Sequence, residues 1–170
     1  MISSDGDFLL AAVARAAGTD VAFSNGWRYG APGAMTMNDL WNIVPVNPPI
    51  TTVEMTGDEL RTMMEQNLES VFSPDPFKQM GGYVKRCFGI NLYVKIENPA
   101  GHRIQQLFVG GRLIDRSARY RVAGITAQSV PTKFDSGRAE LPTDAITAMQ
   151  DYLKEAPATA LGSGKSVIAV

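Results

Sequence analysis

A run of β-branched residues followed at once by a strong helix start most constrains how this chain can fold. Residues Ile50 to Met55 read I-T-T-V-E-M, which is typical of a strand. Thr56 and Glu59 then form a capping-box pattern, and Asp58 adds an acid in the first turn, where the helix dipole favours it. The apolar face of the expected helix consists of Leu60, Met63, Met64, Leu68, Val71 and Phe72. The following S-P-D-P ends the helix, so we predict a strand–helix unit here.

Helical and extended patterns alternate along the rest of the chain. Residues Asp5 to Ala17 predict a helix with Ser4 as its N-cap, and Thr36 with Asp39 predicts a second, shorter helix. The apolar positions expected in the core are Phe8, Leu9, Ala12, Val13 and Ala16 in the first helix and Met37, Leu40, Trp41 and Ile43 in the second. Further strands are predicted at Val21–Phe23, Ile90–Ile96, Ile104–Val109, Arg112–Ile114, Tyr120–Ala123 and, as an edge strand, Val167–Val170, with a last helix starting near Thr143. We therefore predict an α+β fold in which residues 1–170 form a single domain around a mixed β-sheet with flanking helices.

Composition and charge exclude several classes of function. The chain has 170 residues, of which 45% are hydrophobic and 19% charged, as in a folded domain with a core. A net charge of −1 provides no basic surface for nucleic acid. The apolar runs are far shorter than the roughly 20 residues that span a bilayer, and no signal-peptide pattern follows Met1.

Metal binding is not expected in this chain either. The sequence has one histidine, His102, in a predicted turn, and one cysteine, Cys87, with no cluster of ligands at metal-site spacing. Cys87 is expected to be a small buried hydrophobe; the alternative is a thiol activated by the neighbouring Lys85 and Arg86.

The polar, glycine-broken segment after the first predicted strand is the main candidate binding site. It reads S-N-G-W-R-Y-G from Ser24 to Gly30, and its glycines allow backbone angles that a Cβ would forbid. Arg28 offers a fork of donors that fits phosphate, sulfonate or carboxylate. The alternative is that Arg28 is an ordinary surface cation and Trp27 fills the core.

A second candidate is the segment Phe77 to Gly89, which contains a glycine pair and a small basic cluster. The cluster consists of Lys78, Lys85 and Arg86. Such a cluster either contacts a ligand from a long loop or forms a solvated face, and the residues alone leave both open.

Several stretches occur in an order that resembles the C-terminal domain of the 5′-nucleotidase family. They read S-N-G-W-R, T-M-N-D-L-W, V-E-M-T-G-D-E-L, F-K-Q-M-G-G and Y-R-V-A-G, and they cover nearly the whole chain. The resemblance implies a domain that binds the substrate and sets specificity in nucleotide catabolism. Full-length members are extracytoplasmic, often periplasmic, hydrolases whose N-terminal metallophosphatase domain holds two divalent metal ions, Mn or Zn. On this resemblance, the chain lacks the catalytic half, has no catalytic residues of its own and is inactive alone.

The family's substrate contacts can be carried over to a few positions. Asn25 and Arg28 match an Asn and an Arg that touch the substrate in nucleotidases, although the loop here is two residues shorter. Val46 stands where the family has an aromatic that stacks on the base, and the stretch Gly124–Gln128 replaces the segment with the second aromatic. Each base–aromatic stack contributes roughly 1–3 kcal/mol. A purine nucleotide is therefore not the expected substrate.

The sulfur-oxidation thiosulfohydrolase branch of the family, SoxB, is similar in the short S-N-G-W-R-Y-G loop and in N-L-E-S-V-F-S-P-D-P-F-K-Q-M-G-G. In that enzyme a dimanganese site removes sulfate from a sulfonated cysteine on a carrier protein. The similarity implies that Arg28, with Asn25, faces a small anionic substrate near a domain cleft, and that the loop from Pro74 to Arg86 meets a carrier peptide. The substrate-binding residues implied are Asn25, Gly26, Trp27 and Arg28, with loop contacts from Gln79, Gly81 and Gly82.

Two hypotheses of different class follow from the sequence. The first is the substrate-binding half of a metal-dependent hydrolase that acts on a phosphate or sulfonate ester-like group. The second is a free-standing anion-binding or protein-interaction module without catalysis. An exposed apolar flank on the helix Asp5 to Ala17 would favour the first, because the corresponding helix joins the two domains in the family.

Overall fold

Two mixed β-sheets with helices packed around them form the part of the chain that the structure describes. The computed structural model describes residues 4–24, 36–80, 82–126, 128–134, 136–155 and 166–170. In chain order the elements are α1 (Ser4–Ala17), β1 (Val21–Ser24), α2 (Met37–Ile43), β2 (Pro49–Thr56), α3 (Gly57–Phe72), β3 (Arg86–Phe88), β4 (Ile90–Val94), β5 (Ile104–Val109), β6 (Arg112–Leu113), β7 (Arg119–Gly124), β8 (Ala139–Asp144), α4 (Ala145–Glu155) and β9 (Val167–Ala169). The predicted α+β fold is confirmed, with the strands divided between two mixed sheets.

The larger sheet has the strand order β3-β1-β7-β2-β8. Strands β1 and β7 are parallel, with Val21 opposite Val122 and Phe23 opposite Gly124, while the other neighbours are antiparallel. Every residue of β1 is buried. Val21 and Phe23 face one core cluster and Ala22 faces the other. Burial on both faces explains why the residues before Ser24, from Val21 to Phe23, form a continuous apolar run without polar alternation.

The two faces of this sheet belong to two separate cores. Helices α1, α2 and α4 contribute to the core on one face, and α3 with the sheet β6-β5-β4-β9 contributes to the core on the other. In α1, every side chain from Phe8 to Ala14 is buried, whereas Ala16 is exposed. The predicted single stripe is therefore too narrow, and Ala16 was wrongly placed in it. The part of α1 from Phe8 to Ala14 has no exposed apolar flank.

The predicted strand–helix unit is confirmed at β2 and α3. The Glu59 carboxylate accepts a hydrogen bond from the Thr56 N–H at 2.7 Å, and the Thr56 hydroxyl accepts one from the Glu59 N–H at 3.2 Å. Hydrogen bonds to its carboxylate lower the pKa of Glu59, first from the Thr56 backbone N–H and then from the Thr56 hydroxyl. Leu60, Met63, Met64 and Leu68 are buried as predicted.

Trp41 and β8 depart from the sequence-based predictions. Trp41 is 45% exposed, because the short helix α2 buries only Leu40 and Ile43. Strand β8 was not predicted, since A-E-L-P-T-D is charged and contains Pro142. It is an edge strand of the described sheet and pairs there with β2, a position where proline and charge are tolerated. The predicted edge strand at the C-terminal end is confirmed, with Leu92 of β4 opposite Val167 of β9.

Within the described ranges, no helix combines the length and the apolar character needed to cross a membrane.

Candidate functional site

One edge of the five-stranded sheet collects an end of every strand. Strands β1, β7 and β8 end there at Ser24, Gly124 and Asp144, while β3 and β2 begin there at Arg86 and Pro49. We call this the Ser24 edge. The parallel pair β1–β7 places the loops after both strands on the same side, which is where open sheets with parallel strands commonly bind ligands.

The four residues predicted to bind the substrate follow directly after this edge. Asn25, Gly26, Trp27 and Arg28, and the loop residue Gly81, lie outside the described residues. The described chain reaches them at Ser24, which is 1% exposed. Its hydroxyl has no hydrogen-bond partner among the described residues, an uncommon state for a buried polar atom. Ser24 was not predicted as a site residue, because its burial depends on strand pairing.

Lys85 brings a cation to the Ser24 edge. Its ammonium donates a hydrogen bond to the Gln128 carbonyl, and its backbone N–H donates to the Asn67 side-chain oxygen at 2.8 Å. The start of β3 is therefore tied both to α3 and to the loop after β7. Burial lowers the pKa of Lys85, since the charged form is removed from water.

The predicted basic cluster is divided in space. Lys78 is exposed and lies 3.9 Å from Asp75 within its own loop, whereas Arg86 begins β3 next to Ser24. The positive charge of Arg86 acts on the carboxyl of Asp7 in α1. Lys85 and Arg86 thus belong to the Ser24 edge, and Lys78 behaves as part of a solvated loop.

Asn47 sits at the same edge and is occupied by a structural role. It has a positive φ of 39°, a conformation that Asn tolerates better than most residues. Its side-chain oxygen accepts a hydrogen bond from the Ile146 N–H at 2.9 Å, at the start of α4. The neighbouring Val46 is 72% exposed. An exposed aliphatic side chain therefore stands at the position where an aromatic was expected to stack on a base.

The loop after β7 is packed tightly against the strand end. A Cβ on Gly124 would lie 3.2 Å from the Ser129 Cβ. The Thr126 hydroxyl accepts a hydrogen bond from the Ser129 N–H at 3.2 Å and lies 3.1 Å from the Ser129 hydroxyl. Ile125 points into the core and is 1% exposed. This turn supplies polar groups to the edge and no aromatic side chain.

A family model for the 5′-nucleotidase C-terminal domain matches residues 3–126. The chain belongs to this family. Among curated proteins it is 27% identical to the trifunctional nucleotide phosphoesterase protein YfkN of Bacillus subtilis over 125 residues, which cover 69% of this chain and 8% of YfkN.

Solved structures share the fold of this 5′-nucleotidase C-terminal domain. The sulfate thiohydrolase SoxB of Thermus thermophilus matches 98% of the chain with a TM-score of 0.81 and 24% identity. A 5′-nucleotidase precursor from the same species matches 97% with a TM-score of 0.78 and 20% identity. The chain spans 32% of the SoxB chain and 35% of the nucleotidase precursor. Identities at this level show the fold alone.

The loop between α3 and β3 of the 5′-nucleotidase C-terminal domain is held by its own polar groups and exposes apolar ones. The Gln79 side-chain amide donates to the Val71 carbonyl at 3.2 Å, so this predicted loop contact is used to close the loop on α3. Gly82 has a φ of 91°, which only glycine adopts readily. Phe77, Met80 and Tyr83 are 94%, 81% and 52% exposed.

The described residues contain no group of three or more His, Cys, Asp or Glu side chains that could hold a metal ion. Cys87 is buried, and burial raises the pKa of its thiol to about 12. It is a buried small residue, as the sequence favoured, and its thiolate is not accessible at neutral pH. His102 is exposed in the turn before β5.

Proposed function

We propose that this domain is the substrate-binding and specificity half of a metal-dependent hydrolase that acts on a phosphate or sulfonate ester-like group. Its place in metabolism would be nucleotide catabolism or thiosulfate oxidation. The catalytic half would be an upstream metallophosphatase domain with two divalent ions, Mn or Zn, in an extracytoplasmic, periplasmic enzyme. This chain alone would bind the substrate without hydrolysing it.

The observation that carries the proposal is the convergence of five strand ends at the Ser24 edge. The segments that the family uses for substrate contacts begin there: residues 25–28 after β1, residues 45–47 before β2 and residues 124–128 at the end of β7. Lys85 adds a partly desolvated cation to that edge. A cation in a less polar setting attracts an oxyanion more strongly than one in water.

The edge favours an oxyanion without a purine base. Val46 and the stretch Gly124–Gln128 supply no aromatic ring for stacking. Without two stacks of roughly 1–3 kcal/mol each, a nucleotide would have to bind through its phosphate and sugar alone. A sulfonate or phosphate on a small molecule or on a peptide depends less on such stacking.

The exposed loop between α3 and β3 favours a substrate carried on a polypeptide. This loop leads into Lys85 at the Ser24 edge, and its exposed side chains Phe77, Met80 and Tyr83 are of the kinds enriched at protein interfaces. A sulfonated or phosphorylated carrier-protein peptide would contact these side chains while its anion reaches the edge. The same observation supports the second candidate, a free-standing anion-binding or interaction module.

The first test is the affinity of the parent chain and of Arg28→Ala for phosphate and methanesulfonate, measured by calorimetry. We expect the substitution to weaken binding roughly tenfold or more, because it removes charge-assisted hydrogen bonds to the oxyanion. Lys154→Ala is the matched control, since Lys154 is exposed and pairs with Asp151 on α4. Equal affinity of Arg28→Ala and the parent chain would overturn the assignment of Arg28.

A second experiment separates the two candidate functions. An antibody raised against this 18.4 kDa chain would report the mass of the native polypeptide in the source cells. A band about three times larger, with metal-dependent hydrolysis in the purified protein, supports the hydrolase, since the solved relatives are about three times the length of this chain. A band at the mass of the chain supports the binding module.

A further inference from the structure

A cavity of about 680 Å³ lies at the edge of the five-stranded sheet opposite the Ser24 edge. Its walls are the turn between α1 and β1, the hairpin of β5 and β6, and the start of β7. Strands β1 and β7 run in the same direction, so their starts lie at one edge and the Ser24 edge at the other. The volume is within the range of about 300–1,000 Å³ that is usual for small-molecule sites.

Three arginines line this cavity, and two of them have no acidic partner within the described part of the chain. Glu54 of β2 stands directly opposite Arg121 in the strand register. Its carboxylate nevertheless pairs with Arg119, at 3.3 Å. Because Glu54 pairs with Arg119, the Arg121 guanidinium has no carboxylate partner in the described ranges. Arg112, which begins β6, is likewise without a carboxylate within ion-pair distance among the described residues.

Among the described residues, neither acid of the cavity lining forms an ion pair with Arg112 or Arg121. The Asp115 carboxylate accepts hydrogen bonds from the Ser117 hydroxyl at 2.7 Å and from the Ser117 N–H at 2.9 Å, which lower the pKa of Asp115 and so favour its ionised form. Asp20, in the turn before β1, is the other acid of the lining. Within the part of the chain that the structure describes, Arg112 and Arg121 therefore have no ion-pair partner, in a lining that also contains the carboxylates of Asp20 and Asp115.

The wall that carries Arg112 is built to hold its shape. The Tyr120 hydroxyl accepts a hydrogen bond from the Asp115 N–H at 3.1 Å, which joins the start of β7 to the chain after the hairpin. The Gly110 N–H donates to the Gly89 carbonyl at 2.9 Å, so the hairpin turn is fixed to the start of β4. Leu113 is 63% exposed and adds an apolar surface beside the arginines.

We propose that this cavity is a second anion-binding site, distinct from the Ser24 edge, which takes a small organic anion bearing a phosphate group. Arg112 and Arg121 bind the phosphate oxygens through their planar forks of donors. Leu113 and the Tyr120 ring contact the organic part. Because the lining includes both sheets and the turn after α1, the ligand also braces these elements against each other.

The test is a titration of the ¹⁵N-labelled chain with inorganic pyrophosphate, followed by the backbone amide signals of Gly110, Gly111 and Tyr120. We expect saturable shifts at these amides in the parent chain. In Arg112→Gln/Arg121→Gln the apparent affinity at the same amides falls roughly tenfold or more, because the charge-assisted hydrogen bonds are lost. Unchanged signals elsewhere show that the double variant is folded.

A matched control removes two positive charges away from the cavity. Lys95→Gln/Lys154→Gln changes two exposed lysines that form pairs with Glu97 and Asp151, and it retains the parent affinity on this proposal. Shifts confined to Gly124 and Thr126 would place pyrophosphate at the Ser24 edge only and would overturn the second site. An unchanged affinity at Gly110 and Gly111 in the arginine double variant would overturn it as well.

Discussion

Asp7 shows how one side chain can oppose the stability of the fold that buries it. It lies in α1 directly before the apolar stretch Phe8 to Ala14. Its Oδ2 atom is buried without a hydrogen-bond partner among the described residues. Burial raises the pKa of Asp7, and the positive charge of Arg86 offsets this only in part. A carboxylate that loses water without gaining donors is less stable in its ionised form.

Asp7→Asn is therefore expected to raise the melting temperature at pH 7. A folded-state pKa above 3.8 means that the contribution of Asp7 to stability is complete below pH 3.8 and is lost as the pH rises through the folded-state pKa. At pH 7 the parent chain carries this cost and the amide variant does not. Thermal melts at pH 7 and about pH 3.5 should show a gain for the variant that shrinks at the lower pH.

The control for this residue is Asp151→Asn, which changes an exposed carboxylate paired with Lys154. It should give no gain at pH 7, since its charge is solvated. A lower melting temperature for Asp7→Asn than for the parent chain at pH 7 would show that the attraction between Asp7 and Arg86 outweighs the burial of the carboxylate.

At the scale of elements, the start of α3 is determined by a contact as well as by its cap. The Gly57 N–H donates to the Ala118 carbonyl at 3.1 Å, and the Asp58 N–H donates to the Arg116 carbonyl at 3.0 Å. A Cβ on Gly57 would lie 2.2 Å from the Asp115 carbonyl oxygen. The glycine of the T-G-D-E-L motif is thus required by the close approach of the turn before β7.

Gly57→Ala should destabilise the domain by at least about 1 kcal/mol in a urea unfolding experiment. Alanine favours a helix over glycine by up to about 1 kcal/mol. Displacing a packed backbone typically costs about 1–3 kcal/mol, and the rigid carbonyl at this distance places the cost at the upper end. The control is Asp58→Ala, which changes the next residue in the chain. Its side chain is exposed, so this variant should change stability by less than about 1 kcal/mol. A Gly57→Ala variant as stable as the parent would contradict this account.

At the scale of the whole molecule, Arg103 attaches the smaller sheet to α3. Arg103 precedes β5, is 3% exposed, and donates to the Ile96 carbonyl at 3.0 Å and the Phe72 carbonyl at 3.3 Å, besides its ion pair with Glu69. Glu65, also buried, accepts hydrogen bonds from the backbone N–H groups of Arg103 and Ile104 at 3.2 and 2.7 Å. These bonds fix the end of α3 to the start of β5.

Arg103→Met is expected to destabilise the chain by about 3 kcal/mol, because it leaves two carbonyls and a carboxylate without their donor. The matched control is Arg116→Met, which removes an exposed ion pair between Arg116 and Asp58 of α3. This variant should lose less than about 1 kcal/mol of stability. Urea unfolding of both variants gives the comparison. Similar losses for the two variants would show that burial adds nothing at Arg103.

Individual helices and strands were largely predictable, because the residues that determine them lie close together in the sequence. The capping box at Thr56 and Glu59 and the alternation of Ile90, Leu92 and Val94 are local patterns, and each formed the predicted element. The prediction for Trp41 was wrong because a helix of seven residues buries little of its surface. Strand β8 escaped prediction because an edge strand needs no apolar alternation.

The candidate site was predictable only as separate stretches of sequence. Residues 25–28, 45–47 and 124–128 were each singled out, yet nothing in their composition indicates that the strand ends next to them lie at one edge of a sheet. That common edge depends on the parallel pairing of β1 with β7, which are far apart in the chain, as Val21 opposite Val122 shows. The roles of Asn47 at the start of α4 and of Lys85 on the Gln128 carbonyl depend on the same long-range arrangement.

The sequence by itself determined the family, the α+β class, the capped helix α3 and the glycine turn of the β5–β6 hairpin. These follow from propensities, caps and backbone angles, which act between neighbours in the chain. Only the tertiary structure decided that the strands form two sheets, that Ser24 and Lys85 share an edge, and that Glu54 pairs with Arg119 in preference to Arg121. Such choices depend on competition among distant partners for burial and charge, which no local pattern encodes.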